Sequence, residues 1–400
     1  MLNPPLQIAI VGTGPAALMA ADRLAHSSRA IRVTLFEKRG GIAWKLFVAG
    51  SSGLNITNSL DLDSFSSQYT GPADHWKLAL DRFSNKDWVR FLEDDLDQKT
   101  FLGTSGRYFV ETMHAAKLVR AWKKRLENAG VAFRLQHELS DLNLANGKWT
   151  LSFIDQESFS ADLALLCLGG GSYEPHENPL RWPKILSHLK LGFTDFSAVN
   201  TGYHVAWSEG FIKEADGLPL KNVVLSNAKG ARKGDLIVSE YGLEGTPIYT
   251  LGQPGPASLD LKPDLSADDI LKKLNASKEN LSPIRRVQKY LGLNKTALAL
   301  LFHMAPSPAK SDLLEFIRLI KAFPLELLEP RPLVESISSR GGLSWSDLDE
   351  NLQIKSNPGL YAAGEMIDWE APTGGFLIQG AVSQGALVAD KMIESFGSKP

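Results

Sequence analysis

The feature that most constrains this chain is a glycine turn set between an apolar run and a helical pattern near its start. Leu6 to Val11 is a short continuous apolar segment, the texture of a strand covered on both faces. It stops at Gly12-Thr13-Gly14-Pro15-Ala16-Ala17, after which Leu18, Met19, Ala21, Leu24 and Ala25 recur at helical spacing. Pro15 fits the first helical turn, where a missing N–H is no loss. Gly12 permits the tight turn, Gly14 lets a phosphate approach the backbone, and Ala17 lets helix and strand pack closely, with Ala16 beside it. The helix start supplies unpaired N–H groups and a positive dipole end for a pyrophosphate. Ile31 to Phe36 is a second β-branched and aromatic run. Glu37 at its end is placed to accept hydrogen bonds from an adenosine ribose and to repel a 2′-phosphate, a repulsion that Lys38 and Arg39 would soften.

A glycine turn of this kind indicates a dinucleotide without saying which one, and the C-terminal segment carries that decision. Leu360-Tyr361-Ala362-Ala363-Gly364-Glu365-Met366-Ile367-Asp368 resembles the late strand and acidic turn of FAD-binding two-dinucleotide-fold flavoproteins. Thr373-Gly374-Gly375 then precedes a helix that Phe376 helps to open. The N-terminus of that helix would favour the negative charge that reduction places on a flavin. The expected cofactor is therefore FAD.

Composition narrows the partners. The 400 residues carry 43 basic and 45 acidic side chains, so no field is available to gather nucleic acid or an anionic lipid surface. No apolar run reaches membrane-spanning length. A single cysteine, Cys167, excludes an intramolecular disulfide and a CxxC pair and suits a reducing cytoplasm. Met1 to Gln7 lack a basic region and lead straight into a strand, which predicts no signal peptide. The eight histidines are scattered without an i, i+4 pair, and no metal site is expected. No Gly-x-Ser-x-Gly elbow and no Walker A sequence occur.

Further along, Ala115 to Glu127 reads as a helix, and Val131 to Leu135 and Glu138 to Leu144 as strands. Asn146-Gly147 is a hairpin signal joining Leu142–Leu144 to Trp149–Ile154. Leu163 to Leu168 reads as a core strand that reaches a ligand edge at Gly169-Gly170-Gly171. From Phe193 to Leu261 short strands alternate with glycines, and from Ser266 to Leu328 the pattern is helical with interruptions. Gly359 to Ala363 returns as a strand and Ile378 to Ile393 as a helix. The expected fold is α/β: a Rossmann-like, two-dinucleotide-fold FAD domain from residues 1–190 and 335–400, with a β-rich insert at 191–265 and a small helical subdomain at 266–334.

At this level the sequence resembles the bacterial flavoproteins related to aminoacetone oxidase and BaiN-type proteins, a group of NAD(P)/FAD-dependent oxidoreductases. The likeness rests on the loop from Trp44 through Gly50-Ser51-Ser52-Gly53 to Asn55-Ile56-Thr57-Asn58, on Gly106-Arg107-Tyr108-Phe109, on Gly169-Gly170-Gly171-Ser172-Tyr173, on Gly341-Gly342-Leu343-Ser344 and on the Gly364-Glu365 turn. It implies that Lys45, Asn55, Thr57 and Asn58 are flavin-side or phosphate-side contacts. This chain departs from the family pattern at Gly53-Leu54, where an Arg-Cys pair is usual, at Trp369 to Pro372 after the acidic turn, and after Gln379, where the family aromatic is missing. The implied activity is an FAD-dependent oxidoreductase passing hydride to or from flavin N5. The substrate would be a small molecule, with NAD(P)H as a transient reductant or oxygen as the second partner. An FAD-dependent tRNA-modifying enzyme and a non-catalytic FAD-binding sensor are the two alternatives, and the neutral charge balance argues against the first.

Overall fold

The structure is a computed structural model that describes residues 4–49, 54–174, 180–276 and 281–395. The loop Gly50-Ser51-Ser52-Gly53, part of the family-like element before Asn55, lies outside the described residues. The chain divides into two compact units, residues 1–197 with 337–400 and residues 198–336.

The first unit is built on a five-stranded parallel sheet. Its elements are β1 (Leu6–Val11), α1 (Pro15–Ala25), β2 (Ile31–Glu37), α2 (Ala115–Asn128), β3 (Ala132–Leu135), β4 (Leu163–Leu166), β5 (Leu360–Ala362) and α3 (Phe376–Ser395). The strand order is β5-β4-β1-β2-β3, with every neighbouring pair parallel. β1 therefore lies at the centre, flanked by Leu6↔Ile31 and Ile8↔Leu163 pairing. Central position explains its composition: Ile8, Ala9 and Ile10 are fully buried, as a strand covered on both faces requires. The strand that completes the sheet comes from the far end of the sequence, since Ala164 of β4 pairs with Leu360 of β5.

α1 packs on the sheet, and α3 packs on α1. The two helices approach so closely that a Cβ built on Gly385 of α3 would lie 2.2 Å from the Ala16 carbonyl oxygen. An Arg23–Asp390 bidentate pair, at 2.6 and 2.7 Å, ties their outer ends. α2 is fixed to α1 through Arg125, whose Nε lies 3.0 Å from buried Asp22. Burial pushes the Asp22 carboxyl upward, and the Arg125 guanidinium opposes that shift.

A separate antiparallel meander, Leu139–Ala145, Lys148–Phe153 and Gln156–Ala161, stacks on the sheet through Phe36 of β2. The Phe36 ring lies 4.5 Å from that of Phe153 and 5.1 Å from that of Phe159. The expected hairpin is present, with Asn146 and Gly147 at φ 53° and 75°, as a type I′ turn requires. Some elements were not legible in the sequence. Ala73–Arg82 and Asn85–Arg90 are helices with no counterpart in the expectations above, the second opened by a capping box between Ser84 and Asp87.

The second unit holds a six-stranded antiparallel sheet whose members, in order, begin at Tyr203, Gly242, Gly230, Pro219, Gly255 and Phe323. Helices Ala267–Asn275, Pro283–Tyr290, Lys295–Met304 and Leu313–Lys321 share one buried cluster with that sheet. Phe323–Leu327 corrects the helical reading of 266–328, because it is a strand paired with Gly255–Asp260. Phe323, Leu325 and Leu327 alternate inward with Pro324 and Glu326 outward, a period of two that the preceding helix masks.

Candidate cofactor site

The site begins where β1 ends. Gly12 adopts φ +107°, and a Cβ there would lie 2.1 Å from the Cys167 carbonyl oxygen, so no other residue fits. Its N–H donates to Phe36 O at 2.8 Å, which holds the turn against β2. Gly14 caps α1 in extended geometry, with Pro15 as the first helical residue. Among the described residues, nothing lies within 4 Å of the place a Gly14 side chain would occupy, so a ligand can approach this end of the helix backbone. Ala16 and Ala17 are buried beneath it. The first turn of α1 contains no acidic side chain to oppose the dipole.

Thr13, between the two glycines, carries more than the sequence indicated. Its hydroxyl donates to Glu37 in a short hydrogen bond and accepts from the Ala43 N–H at 3.1 Å. The Arg39 N–H donates to the other Glu37 oxygen at 3.0 Å. The carboxylate is thereby aimed, and each oxygen keeps a lone pair. Lys38 and Arg39 do not turn toward it. Both bind Glu174, at 2.8 and 3.2 Å.

Three further segments meet at Lys45. Its ammonium donates to Gly170 O at 3.0 Å and Ser172 Oγ at 3.3 Å, and lies 3.4 Å from a Glu365 carboxylate oxygen. Gly169 is adjacent, since a Cβ built on it would lie 3.5 Å from the Lys45 ammonium, and its carbonyl accepts from Trp182 Nε1 at 3.0 Å. The Gly364 turn reaches the same neighbourhood from the other side: a Cβ there would meet Ala16 Cβ at 3.4 Å. The Gly364 N–H donates to buried Gln384 at 2.8 Å, a partner from α3 with no signature in the sequence.

The glycine loop before α3 is held by the Asn-x-Thr-Asn segment. Asn58 Nδ2 donates to Gly374 O at 3.3 Å, and the Thr57 hydroxyl donates to Gln379 at 2.7 Å. Gly375 sits at φ +94°, and a Cβ there would approach the Thr57 backbone to 2.5 Å. Phe376 is buried against Phe65, and its carbonyl accepts the Tyr69 O–H at 2.7 Å. Asn58, Thr57 and Phe376 therefore position the loop through polar and aromatic contacts. Asn55 differs: its Oδ1 is buried and accepts no hydrogen bond among the described residues. Like α1, α3 begins without an acidic residue in its first turn.

The arrangement fits an elongated dinucleotide. It offers two unopposed helix N-termini, an oriented carboxylate at the end of β2, a lysine among glycine turns and an orphaned amide oxygen. The chemistry of Cys167 is closed off, because burial pushes its thiol far up. Among the described residues, no group of three or more His, Cys, Asp or Glu side chains could hold a metal ion, and no helix is long and apolar enough to cross a membrane.

Comparison with known proteins agrees with this geometry. Residues 6–391 match the model of the HI0933-like protein Rossmann domain. The chain is 20% identical to the 3-dehydro-bile acid delta(4,6)-reductase of Clostridium scindens, over 95% of this chain and 97% of that protein. Among solved structures it is similar to 3-ketosteroid delta1-dehydrogenase from Sterolibacterium denitrificans, with a TM-score of 0.53 and 12% identity, covering 98% of this chain and all of the other. It is also similar to 3-ketosteroid-delta4-(5alpha)-dehydrogenase from Rhodococcus jostii RHA1, with a TM-score of 0.52 and 14% identity, covering 100% and 98% of the two chains. At these identities the structural likenesses speak for the α/β fold alone.

Proposed function

The chain belongs to the HI0933-like family of FAD-binding oxidoreductases, and from that premise we propose that it moves hydride between a small-molecule substrate and flavin N5 in the cytoplasm, with NAD(P)H or oxygen as the second partner. The observation that carries this reading is the meeting of both chain ends at one helix N-terminus, where the Gly364 turn abuts Ala16. A nicotinamide-binding domain needs only the first of these turns. Residues 1–190 and 335–400 form the FAD domain in this reading, with 191–265 and 266–334 inserted as β-rich and helical parts.

When bound, FAD supplies the electron-pair acceptor and donor that no side chain of this protein provides. The protein's own part is binding and electrostatics. In the turn Gly12 to Ala17, where Pro15 opens the helix and offers no N–H, the N–H groups of Gly14, Ala16 and Ala17, together with the α1 dipole, hold the pyrophosphate. Glu37 accepts the ribose hydroxyls. Lys45, held by Glu365 and the Gly169–Ser172 turn, balances phosphate charge. Asn55 offers an acceptor to the cofactor, and Asn58 fixes Gly374, Gly375 and Phe376 so that the α3 dipole stabilises charge on the reduced ring. The bile-acid reductase activity of the Clostridium relative supports a small organic substrate.

The visible spectrum of the purified protein is the test. Absence of flavin bands, with no uptake of added FAD, sinks the proposal. Anaerobic mixing with NADH or NADPH, followed by admission of oxygen, then identifies the second partner by which step restores or bleaches the flavin.

A further inference from the structure

Glu37 is followed at once by two cations, and both turn to a single buried oxygen. Lys38 Nζ lies 2.8 Å and Arg39 Nη2 3.2 Å from the same oxygen of Glu174. The Glu174 side chain is only 8% exposed, against 25% and 21% for its two partners. A carboxylate buried to this degree carries a desolvation cost that only such pairing offsets. The Arg39 N–H meanwhile donates to Glu37, so one short segment serves the ribose acid with its backbone and Glu174 with its side chain. An ammonium and a guanidinium converging on one oxygen is also the arrangement that grips a phosphate.

We propose that Lys38 and Arg39 constitute a phosphate-binding pair which Glu174 keeps filled from within, so that the adenosine end of the site accepts an unphosphorylated ribose and rejects a 2′-phosphate. This rests on the reading that Glu37 takes the adenosine ribose. Glu37 repels the 2′-phosphate directly, and the Glu174 carboxylate holds both cations and offsets one of the two positive charges that would otherwise compensate. The sequence suggests that Lys38 and Arg39 soften the repulsion by Glu37, and Glu174 reduces that effect. Removing the Glu174 charge while keeping its shape releases both cations beside the ribose position.

The test uses the full-length protein freed of bound flavin and measures ADP, 2′,5′-ADP and inorganic phosphate by calorimetry. The wild type prefers ADP to 2′,5′-ADP. Glu174→Gln shifts the ratio about tenfold toward 2′,5′-ADP, the effect of one ordinary ionic interaction. Glu174→Asp keeps the wild-type ratio, and adding Lys38→Met and Arg39→Met to Glu174→Gln removes the shift. An unchanged ratio in Glu174→Gln overturns the proposal. So does a gain for inorganic phosphate as large as the gain for 2′,5′-ADP with neither competing with ADP, because the released pair would then lie away from the ribose. If Glu174→Gln does not fold, Lys38→Met in the wild-type background must sharpen the rejection of 2′,5′-ADP, and an unchanged ratio there is equally fatal. Glu37→Gln checks the underlying reading by itself: undiminished ADP affinity removes Glu37 as the ribose acceptor, whatever Glu174 does.

Discussion

Two glycine turns in this molecule each lead into a helix whose N-terminus lacks acidic side chains, and they are secured in different ways. The first, at Gly12 to Ala17, is pressed on by Cys167 at the end of the neighbouring strand and hydrogen-bonded to β2. Its constraints come from the parallel sheet that any βαβ unit of this class builds. The second, at Gly374 and Gly375, is pressed on by Thr57 and held by Asn58 and Tyr69, which lie some three hundred residues earlier. Its constraints are side chains particular to this chain. One kind of helix terminus can thus be stabilised by general backbone packing or by a chosen set of polar and aromatic contacts, and the two should fail differently.

The largest effect is expected at the first turn. Gly12→Ala forces a Cβ into the Cys167 carbonyl at a positive φ and should cost about 4 kcal/mol or more, with loss of flavin, read by chemical denaturation and visible absorbance. Gly14→Val separates binding from folding. Its backbone is extended and its surroundings are open, so stability should change by about 0.5 kcal/mol or less while FAD affinity falls about a hundredfold or more. Wild-type affinity in Gly14→Val would remove the pyrophosphate from this turn.

At the second turn, Gly375→Ala should destabilise by about 3 kcal/mol, since Thr57 backbone atoms stand 2.5 Å from the new Cβ. A milder result would mean that the loop before α3 can move away from the Asn-x-Thr-Asn strand, and the comparison would lose its point.

Acid should also distinguish the two regions. His75 is buried among Trp76 and Trp345, in the aromatic cluster that includes Tyr69, and burial lowers its pKa from 6.5 to about 4. Its stabilising contribution is therefore full above about pH 6.5 and is lost as pH falls toward 4, by up to about 3 kcal/mol if the folded state stays intact. Hydrogen exchange at pH 5 should open the segment around Tyr69 and Phe376 before β1 and α1, and His75→Leu should abolish that pH dependence. The smallest effect is that of Asn58→Ala. It removes the hydrogen bond to Gly374 O from a buried position and should cost about 1–2 kcal/mol, read by denaturation, with a measurable loss of flavin affinity.

The difference between the turns also explains what could be read in advance. β1, α1, β2 and Glu37 were legible because a buried parallel strand, a glycine turn and a helical period each leave a contiguous mark. β5 and α3 were legible for the same reason, and the hairpin at Asn146-Gly147 follows from turn chemistry alone. The resemblance to known flavoproteins brought Lys45, Asn55 and Asn58 forward, but not their separate roles. Thr13, Glu174 and Gln384 gave no signal. A threonine between glycines, an acid in a loop and a glutamine in a long helix are ordinary residues until their partners are known. The strand Phe323–Leu327 was missed because its five residues follow a helix without punctuation.

The sequence alone determined the class of fold, the dinucleotide turn and the acid that follows it, because these depend on local sterics and short-range periodicity. Only the tertiary structure decided that the turns from both chain ends meet at Ala16, that Lys38 and Arg39 face Glu174 instead of Glu37, and that Asn58 pins the loop before α3. The reason is physical. Backbone conformational limits act between neighbours in the chain, whereas charge pairing and buried hydrogen bonding act between whatever side chains packing brings within about 3 Å.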